Sequence, residues 1–167
     1  SGAAGLFTTE AFTLVKNRLK PGGIACLWLQ AYNISEQNLL MILDTYSAVF
    51  PEMRVFRSGV SDLILIGAAS PVNLDAFEIE KYIAVLDPVR NRLESLGIYD
   101  TLSFLLSSYI MGGDEIKRLT AGNNLLNTDD KPRLEVAAPL DLYNTPYDII
   151  GAYSLDHFES LPASFGV

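Results

Sequence analysis

Residues 24–30 read Ile-Ala-Cys-Leu-Trp-Leu-Gln and follow a Pro-Gly-Gly stop at residues 21–23. Such a continuous apolar run is typical of a central strand that is buried on both faces. We therefore expect Cys26 to be a small buried hydrophobe and Trp28 to belong to the core rather than to a stacking platform. The run is too apolar for an open sheet edge, so we expect self-association through strand 24–30, or a rearrangement that buries it.

The segments on either side of this strand have helical and extended patterns. A helical pattern begins near Thr8 and ends before Pro21, and Ser35 is the expected N-cap of a second helix that Pro51 closes. Residues 53–56 and 62–68 read as strands. Only five residues separate them, which predicts an antiparallel hairpin.

This order of elements predicts an α/β fold. It resembles the C-terminal portion of a Rossmann-like class I methyltransferase fold. That portion consists of a strand, a helix and an antiparallel hairpin, and in this chain additional helices follow it. In that architecture the last strand inserts antiparallel into a parallel sheet. The expected division is residues 1–70 as the C-terminal half of the Rossmann-like domain and residues 71–167 as a mainly helical extension packed on it.

The extension has several helical patterns separated by glycines. Helices are expected over residues 75–86, 88–96, 99–110 and 114–119, an irregular polar segment over 123–139, and a last helix over 147–160. The aromatic residues of this part are expected to pack in the core and between helices; they are Phe104, Tyr109, Tyr143, Tyr147 and Tyr153.

Composition restricts the class of protein and of partner. The chain has 167 residues, of which 49% are hydrophobic and 19% charged, and its net charge is −8. This composition is typical of a globular protein. The negative charge argues against a nucleic-acid partner. It would suit a small cationic amine as partner, or it simply keeps the protein soluble. One cysteine allows no disulfide within the chain. No membrane segment or signal peptide is evident, so we expect a cytoplasmic location, with a membrane anchor outside these residues left open.

Three segments of the chain have motifs that are informative when taken together. Residues 6–12 read Leu-Phe-Thr-Thr-Glu-Ala-Phe, and residues 19–23 read Leu-Lys-Pro-Gly-Gly before the strand with Trp28. Residues 127–135 read Asn-Thr-Asp-Asp-Lys-Pro-Arg-Leu-Glu. Together the three segments resemble the spermidine-synthase-like family, also described as polyamine aminopropyltransferase-like, and especially its bacterial members with extra helices. The resemblance covers about residues 6 to 143 of the chain.

The resemblance implies S-adenosylmethionine or its decarboxylated form as cofactor, and transfer of a methyl or aminopropyl group to an amine. Carboxylates near such a site bind the cationic substrate and accept a proton. It also implies that the glycine-rich turn, the ribose-binding acid and the catalytic aspartate precede Ser1. Catalytic and cofactor-binding residues are therefore not assigned, and we expect this chain to be inactive alone.

Two departures from the family pattern leave an alternative open. Leu27 stands where family members often have Gln, and residues 57–61 replace a longer loop with Pro and Tyr that helps hold the diamine in spermidine synthases. These differences favour a non-catalytic interaction or regulatory module that reuses the fold. Loss of the glycine-rich turn in the upstream sequence would decide for the module.

Four residues are candidates for substrate binding. One of Asp129 and Asp130 would line the amine site, although the pair also suits an Asx-turn or cap before Lys131. Gln30 and Tyr32 follow the apolar strand, and ligands of open α/β sheets bind outside the carboxyl ends of strands. Plain packing at the strand end is the alternative for these two.

Metal and nucleophile sites are not predicted. Regular acid spacing for Ca²⁺ is missing around Asp129 and Asp130. His157 is the single histidine, and no Gly-x-Ser-x-Gly motif accompanies it, so we expect a surface residue.

Overall fold

The computed structural model describes residues 4–70, 76–122 and 125–141. A short 3-10 turn at Ala4–Phe7 precedes four strands and seven α-helices in this part of the chain. In chain order they are α1 (Thr9–Arg18), β1 (Ile24–Gln30), α2 (Glu36–Val49), β2 (Arg54–Arg57), β3 (Asp62–Ala68), α3 (Ala76–Val85), α4 (Asp87–Ser95), α5 (Thr101–Ser108), β4 (Tyr109–Gly112), α6 (Gly113–Thr120) and α7 (Arg133–Asp141).

The four described strands form one sheet in the order β1-β3-β2-β4, and every neighbouring pair is antiparallel. The predicted hairpin is confirmed as β2 and β3, and the α/β class is confirmed at the level of a mixed α/β structure. Because β3 is antiparallel to both β1 and β2, those two strands run in the same direction.

Strand β1 lies at one edge of the described sheet, and only one of its faces is buried. Ala25 and Leu29 face the core, whereas Cys26 is exposed, and Ile24 and Trp28 remain 53% and 55% exposed. The predictions of a strand buried on both faces, a buried Cys26 and a core Trp28 are wrong for this structure. The physical reason is that the described elements cover only the inner face of β1.

Helix α2 covers the inner face of the sheet. Tyr46 and Phe50 are almost fully buried, and the Tyr46 ring packs edge-on against Phe12 of α1 with ring centroids 4.9 Å apart. The Tyr46 hydroxyl donates to the Ala25 carbonyl at 3.2 Å, and burial raises the pKa of Tyr46. Gly67 of β3 makes this packing possible, because a Cβ there would lie 2.7 Å from the Phe50 ring.

The first two α-helices begin where the sequence predicted, and both have a side-chain cap. The Thr8 hydroxyl accepts from the Ala11 amide at 3.2 Å at the start of α1. The Ser35 hydroxyl accepts from the Asn38 amide at 3.3 Å at the start of α2, which confirms Ser35 as N-cap. Each cap satisfies one of the free amides in the first turn.

The second part differs from expectation at two places. The predicted helix over 99–110 ends at Ser108, because Tyr109–Gly112 forms β4 and pairs with β2. The segment expected to be irregular over 123–139 becomes helical at Arg133. Phe104 is 43% exposed rather than a core residue. The predicted helix over 147–160 lies outside the described residues, as do His157 and three aromatic residues, Tyr143, Tyr147 and Tyr153.

Candidate functional site

Asn127 connects residues 127–135 to residues 6–12, which are the last and the first of the three segments that resemble the family. It is fully buried, and its amide nitrogen donates to the Phe7 carbonyl at 2.9 Å and to the Ala4 carbonyl at 3.4 Å. Its side-chain oxygen accepts from the Leu134 amide at 3.1 Å. Two segments about 120 residues apart in sequence are therefore held together by one side chain.

The backbone of Asn127 is hydrogen-bonded as completely as its side chain. Its N–H donates to the Thr45 hydroxyl in α2 at 3.0 Å, and its carbonyl accepts from the Thr9 amide at 3.0 Å. A buried polar group without a partner costs free energy, so this completeness makes Asn127 a structural residue. Sequence reasoning missed it, because every partner except Leu134 lies 82 or more residues away.

The loop after Asn127 turns through Thr128 and Lys131. The Lys131 amide donates to the Thr128 hydroxyl at 3.0 Å and to its carbonyl at 3.1 Å. The capping role that sequence reasoning gave to the aspartates thus belongs to Thr128. Asp129 and Asp130 are both exposed on this turn, so their carboxylates are open to solvent.

Glu10 is a further carboxylate at this loop that sequence reasoning did not select. Its side chain accepts from the Asp129 amide at 3.1 Å and from the Thr9 hydroxyl at 2.9 Å. Hydrogen bonds from the backbone amides of Glu10 itself and of Asp129, and then from the Thr9 hydroxyl, lower the pKa of Glu10. Its position in the first turn of α1 was the available signal, since acids favour that end of a helix.

Gln30 and Tyr32 lie where β1 leads into α2, and both are exposed. The chain between them is held in place, because Ala31 is buried and its amide donates to the Ser61 carbonyl at 2.7 Å. Asn33 then adopts a positive φ of 55°, a conformation that asparagine tolerates better than most residues. This turn places the exposed Tyr32 just outside the carboxyl end of β1.

Helix α7 separates the two pairs of candidate residues. Asp129 and Asp130 precede its start, and Asp141 at its end accepts from the Ser35 amide at 2.8 Å and the Asn38 side chain at 2.6 Å. A nine-residue helix is about 13 Å long. The structure therefore places the acids near one end of α7 and Tyr32 near the other, as two positions rather than one cluster.

A cleft of about 260 Å³ lies at the opposite edge of the sheet, next to β4. Arg54, Tyr109 and Glu115 line it, and none of the four candidate residues does. Burial and then the Glu115 charge raise the pKa of Tyr109 to about 12, while Arg54 acts in the other direction. The Gly112 amide at this cleft already donates to Glu115 at 3.0 Å.

The described residues do not fit the cofactor that the resemblance implies. The loop from β1 to α2, residues 31–35, contains no glycine, and Gly113 at the junction of β4 and α6 packs against the Pro51 carbonyl. Neither junction has the Gly-x-Gly-x-x-Gly turn with which a strand–helix unit binds a dinucleotide. No group of three or more metal-ligating side chains occurs in the part of the chain that the structure describes.

Comparison with known proteins identifies no relative. No protein-family model matches the chain, and no curated protein or solved structure is significantly similar to it. Among the helices that the structure describes, none has the length and apolar character needed to cross a membrane.

Proposed function

We propose that this chain is the scaffold part of a spermidine-synthase-like transferase domain, which moves a methyl or aminopropyl group from S-adenosylmethionine or its decarboxylated form to an amine. The supporting observation is the contact made by Asn127. It joins residues 6–12 to residues 127–135, two of the three segments on which the resemblance rests. Motifs that belong to one family are expected to meet in one place.

The sheet order also supports this proposal. Strand β3 lies between β1 and β2 and is antiparallel to both, which leaves β1 and β2 in the same direction. A parallel sheet with one inserted antiparallel strand has this arrangement. The Rossmann-like assignment remains part of the proposal, because all neighbouring pairs in the described sheet are antiparallel.

The amine would bind at the turn after Asn127. Asp129 and Asp130 are exposed there, and the Glu10 carboxylate accepts from the Asp129 amide on the same turn. Two carboxylates on this turn and a third beside it in α1 attract a polyamine, whose several ammonium groups are spaced along a flexible chain. Because exposed charges are screened by salt, this attraction should weaken as ionic strength rises.

Calorimetry on the full-length protein that contains these residues tests the proposal. We expect binding of S-adenosylmethionine, its decarboxylated form or methylthioadenosine. We also expect the double variant D129N/D130N to weaken spermidine binding by about tenfold at low salt, a change of roughly one decade in Kd. D87N/D114N, which removes two exposed acids from α4 and α6, is the matched control and should not change it. Absence of binding to all three nucleosides would contradict the transferase proposal.

A non-catalytic interaction module is the second candidate function, and the open face of β1 favours it. Ile24 and Trp28 are large apolar side chains that remain more than half exposed. Contiguous exposed apolar residues are one mark of a protein interaction site. A full-length protein that binds a partner through this face and no nucleoside would support the module over the transferase.

A further inference from the structure

The two edge strands of the described sheet, β4 and β1, differ in length and in the regularity of their pairing. The difference indicates that β1 takes part in an interaction. Strand β4 is four residues long, its pairing with β2 shifts register at Val55 and Phe56, and α6 follows it directly. Strand β1 is seven residues long and pairs with β3 in an unbroken register. Proteins usually protect an open edge by shortening it, distorting it or placing charges on it, and β1 has none of these protections.

The direction of the backbone groups on β1 follows from its pairing with β3. The Ala31 amide donates to Ser61, and ladder bonds alternate between the two sides of an antiparallel strand. Ala25, Leu27 and Leu29 therefore bond to β3. The N–H and C=O groups of the even-numbered residues, from Ile24 to Gln30, point to the outer edge.

The side chains of the same even-numbered residues form the outer face of β1. Ile24 and Trp28 are more than half exposed there, and Cys26 lies between them. No residue of β1 is charged, although the chain as a whole has a net charge of −8. Pairing along β1 therefore brings no charged side chain of the strand into the interface.

We propose that β1 pairs antiparallel with β1 of a second copy of this chain about a twofold axis. Full overlap places Leu27 opposite its own counterpart, Cys26 opposite Trp28, and Ile24 opposite Gln30. In this register the even-numbered residues form the hydrogen-bonded pairs, which matches the backbone groups that point outward. The dimer continues the sheet across both copies. It accompanies the interaction module rather than the transferase, because an upstream strand of a complete transferase domain would occupy this edge.

The self-complementary character of β1 favours a second copy as the partner. The partner must be an extended, uncharged strand, because only such a strand satisfies every outward N–H and C=O without burying a charge. Among the strands that the structure describes, β1 itself has this length and composition with a free edge. Trp28 and Cys26 of the two copies would then cover each other across the interface.

The chain provides two natural reporters for the test. It contains one tryptophan and one cysteine, and both lie on the outer face of β1. Sedimentation should show a concentration-dependent monomer–dimer equilibrium between about 1 µM and about 1 mM, the range of moderate affinity. Over the same range the Trp28 emission should shift to shorter wavelength, and the reaction of Cys26 with a thiol reagent should slow.

A charge on the outer face should disrupt the dimer. C26K should weaken dimerisation by about tenfold or more, because the introduced ammonium group of one copy would be desolvated beside Trp28 of the other. V60K is the matched control, since it adds the same charge at a loop position that is 91% exposed. Both variants make the net charge less negative by the same amount. A dimer that is weaker in C26K than in V60K therefore shows that the strand edge, and not the total charge, controls association.

A cross-linking variant tests the register without requiring a charge. In C26A/L27C the two introduced thiols face each other in a non-hydrogen-bonded pair, with Cα atoms about 4.5 Å apart, which is within disulfide range. Mild oxidation should yield a covalent dimer, whereas C26A/V60C should not. A monomer at every concentration, with Cys26 fully reactive and no covalent dimer from C26A/L27C, would overturn the proposal. So would association that C26K and V60K leave equally strong.

Discussion

Asn127 and Asp130 are three residues apart on one loop, yet they behave as opposite kinds of residue. Asn127 is fully buried and its side chain and backbone are hydrogen-bonded to four separate parts of the chain. Asp130 is exposed on the turn that follows. The difference shows that a short polar motif can contain a buried structural half and a half that is exposed to solvent.

The largest effect is expected from N127A. The substitution removes the side-chain bonds to Phe7, Ala4 and Leu134 and leaves buried groups without partners. At about 1 kcal/mol for each net bond, the free energy of unfolding should fall by about 3 kcal/mol. Urea unfolding followed by circular dichroism measures it. An unchanged midpoint would show that Asn127 is not structural.

A smaller loss is expected from T45V, which keeps the shape of the side chain but removes the hydroxyl. Thr45 is fully buried and accepts from the Asn127 amide at 3.0 Å. The free energy of unfolding should fall by about 1–2 kcal/mol, because one buried amide loses its partner. Differential scanning calorimetry measures the change, and T13V, which alters an exposed threonine of α1, serves as the control. Equal effects of the two variants would contradict the role of Thr45.

The Glu10 carboxylate should contribute a small pH-dependent part of the stability. Its pKa is lowered in the folded protein, so the stabilisation is present above the unfolded pKa. It is lost as the pH falls through the lower, folded pKa. E10Q should therefore reduce stability slightly at neutral pH and make no difference at acid pH. Unfolding of both proteins across this pH range tests it, and a constant difference between them would be the contrary result.

The smallest effect on stability is expected from D129N/D130N. Both side chains are exposed, and exposed acids change stability by about 0.5 kcal/mol or less. Their removal should change polyamine binding and leave urea unfolding almost unaltered. A loss of stability as large as that of N127A would remove the distinction between the two halves of the loop.

Local sequence patterns predicted the elements whose causes are local. The start of α1 near Thr8, the cap at Ser35, helix α2 and the β2–β3 hairpin follow from short-range spacing. Strand β4 was missed because Tyr109–Gly112 continues the apolar pattern of α5 and is extended only through pairing with β2, more than fifty residues earlier. Helix α7 was missed because Pro132 and Pro139 interrupt the pattern.

The environment of β1 and the role of Asn127 depend on distant parts of the chain. The apolar run of β1 correctly predicted a strand. The same run can occur in a strand that is covered on one face and in a strand that is covered on both. Trp28 and Cys26 were therefore misplaced in the core. For the candidate site, sequence reasoning found the exposed acids of the loop but not the buried asparagine that positions them, because its partners are distant in sequence.

Amide hydrogen exchange on the unmodified protein tests the central claim most directly, since it compares the two halves of one loop in a single experiment. The Asn127 and Leu134 amides are bonded to buried partners and should exchange only through global unfolding. The Asp130 amide, on the exposed turn, should exchange rapidly. Rapid exchange at Asn127 and Leu134, equal to that at Asp130, would contradict the account.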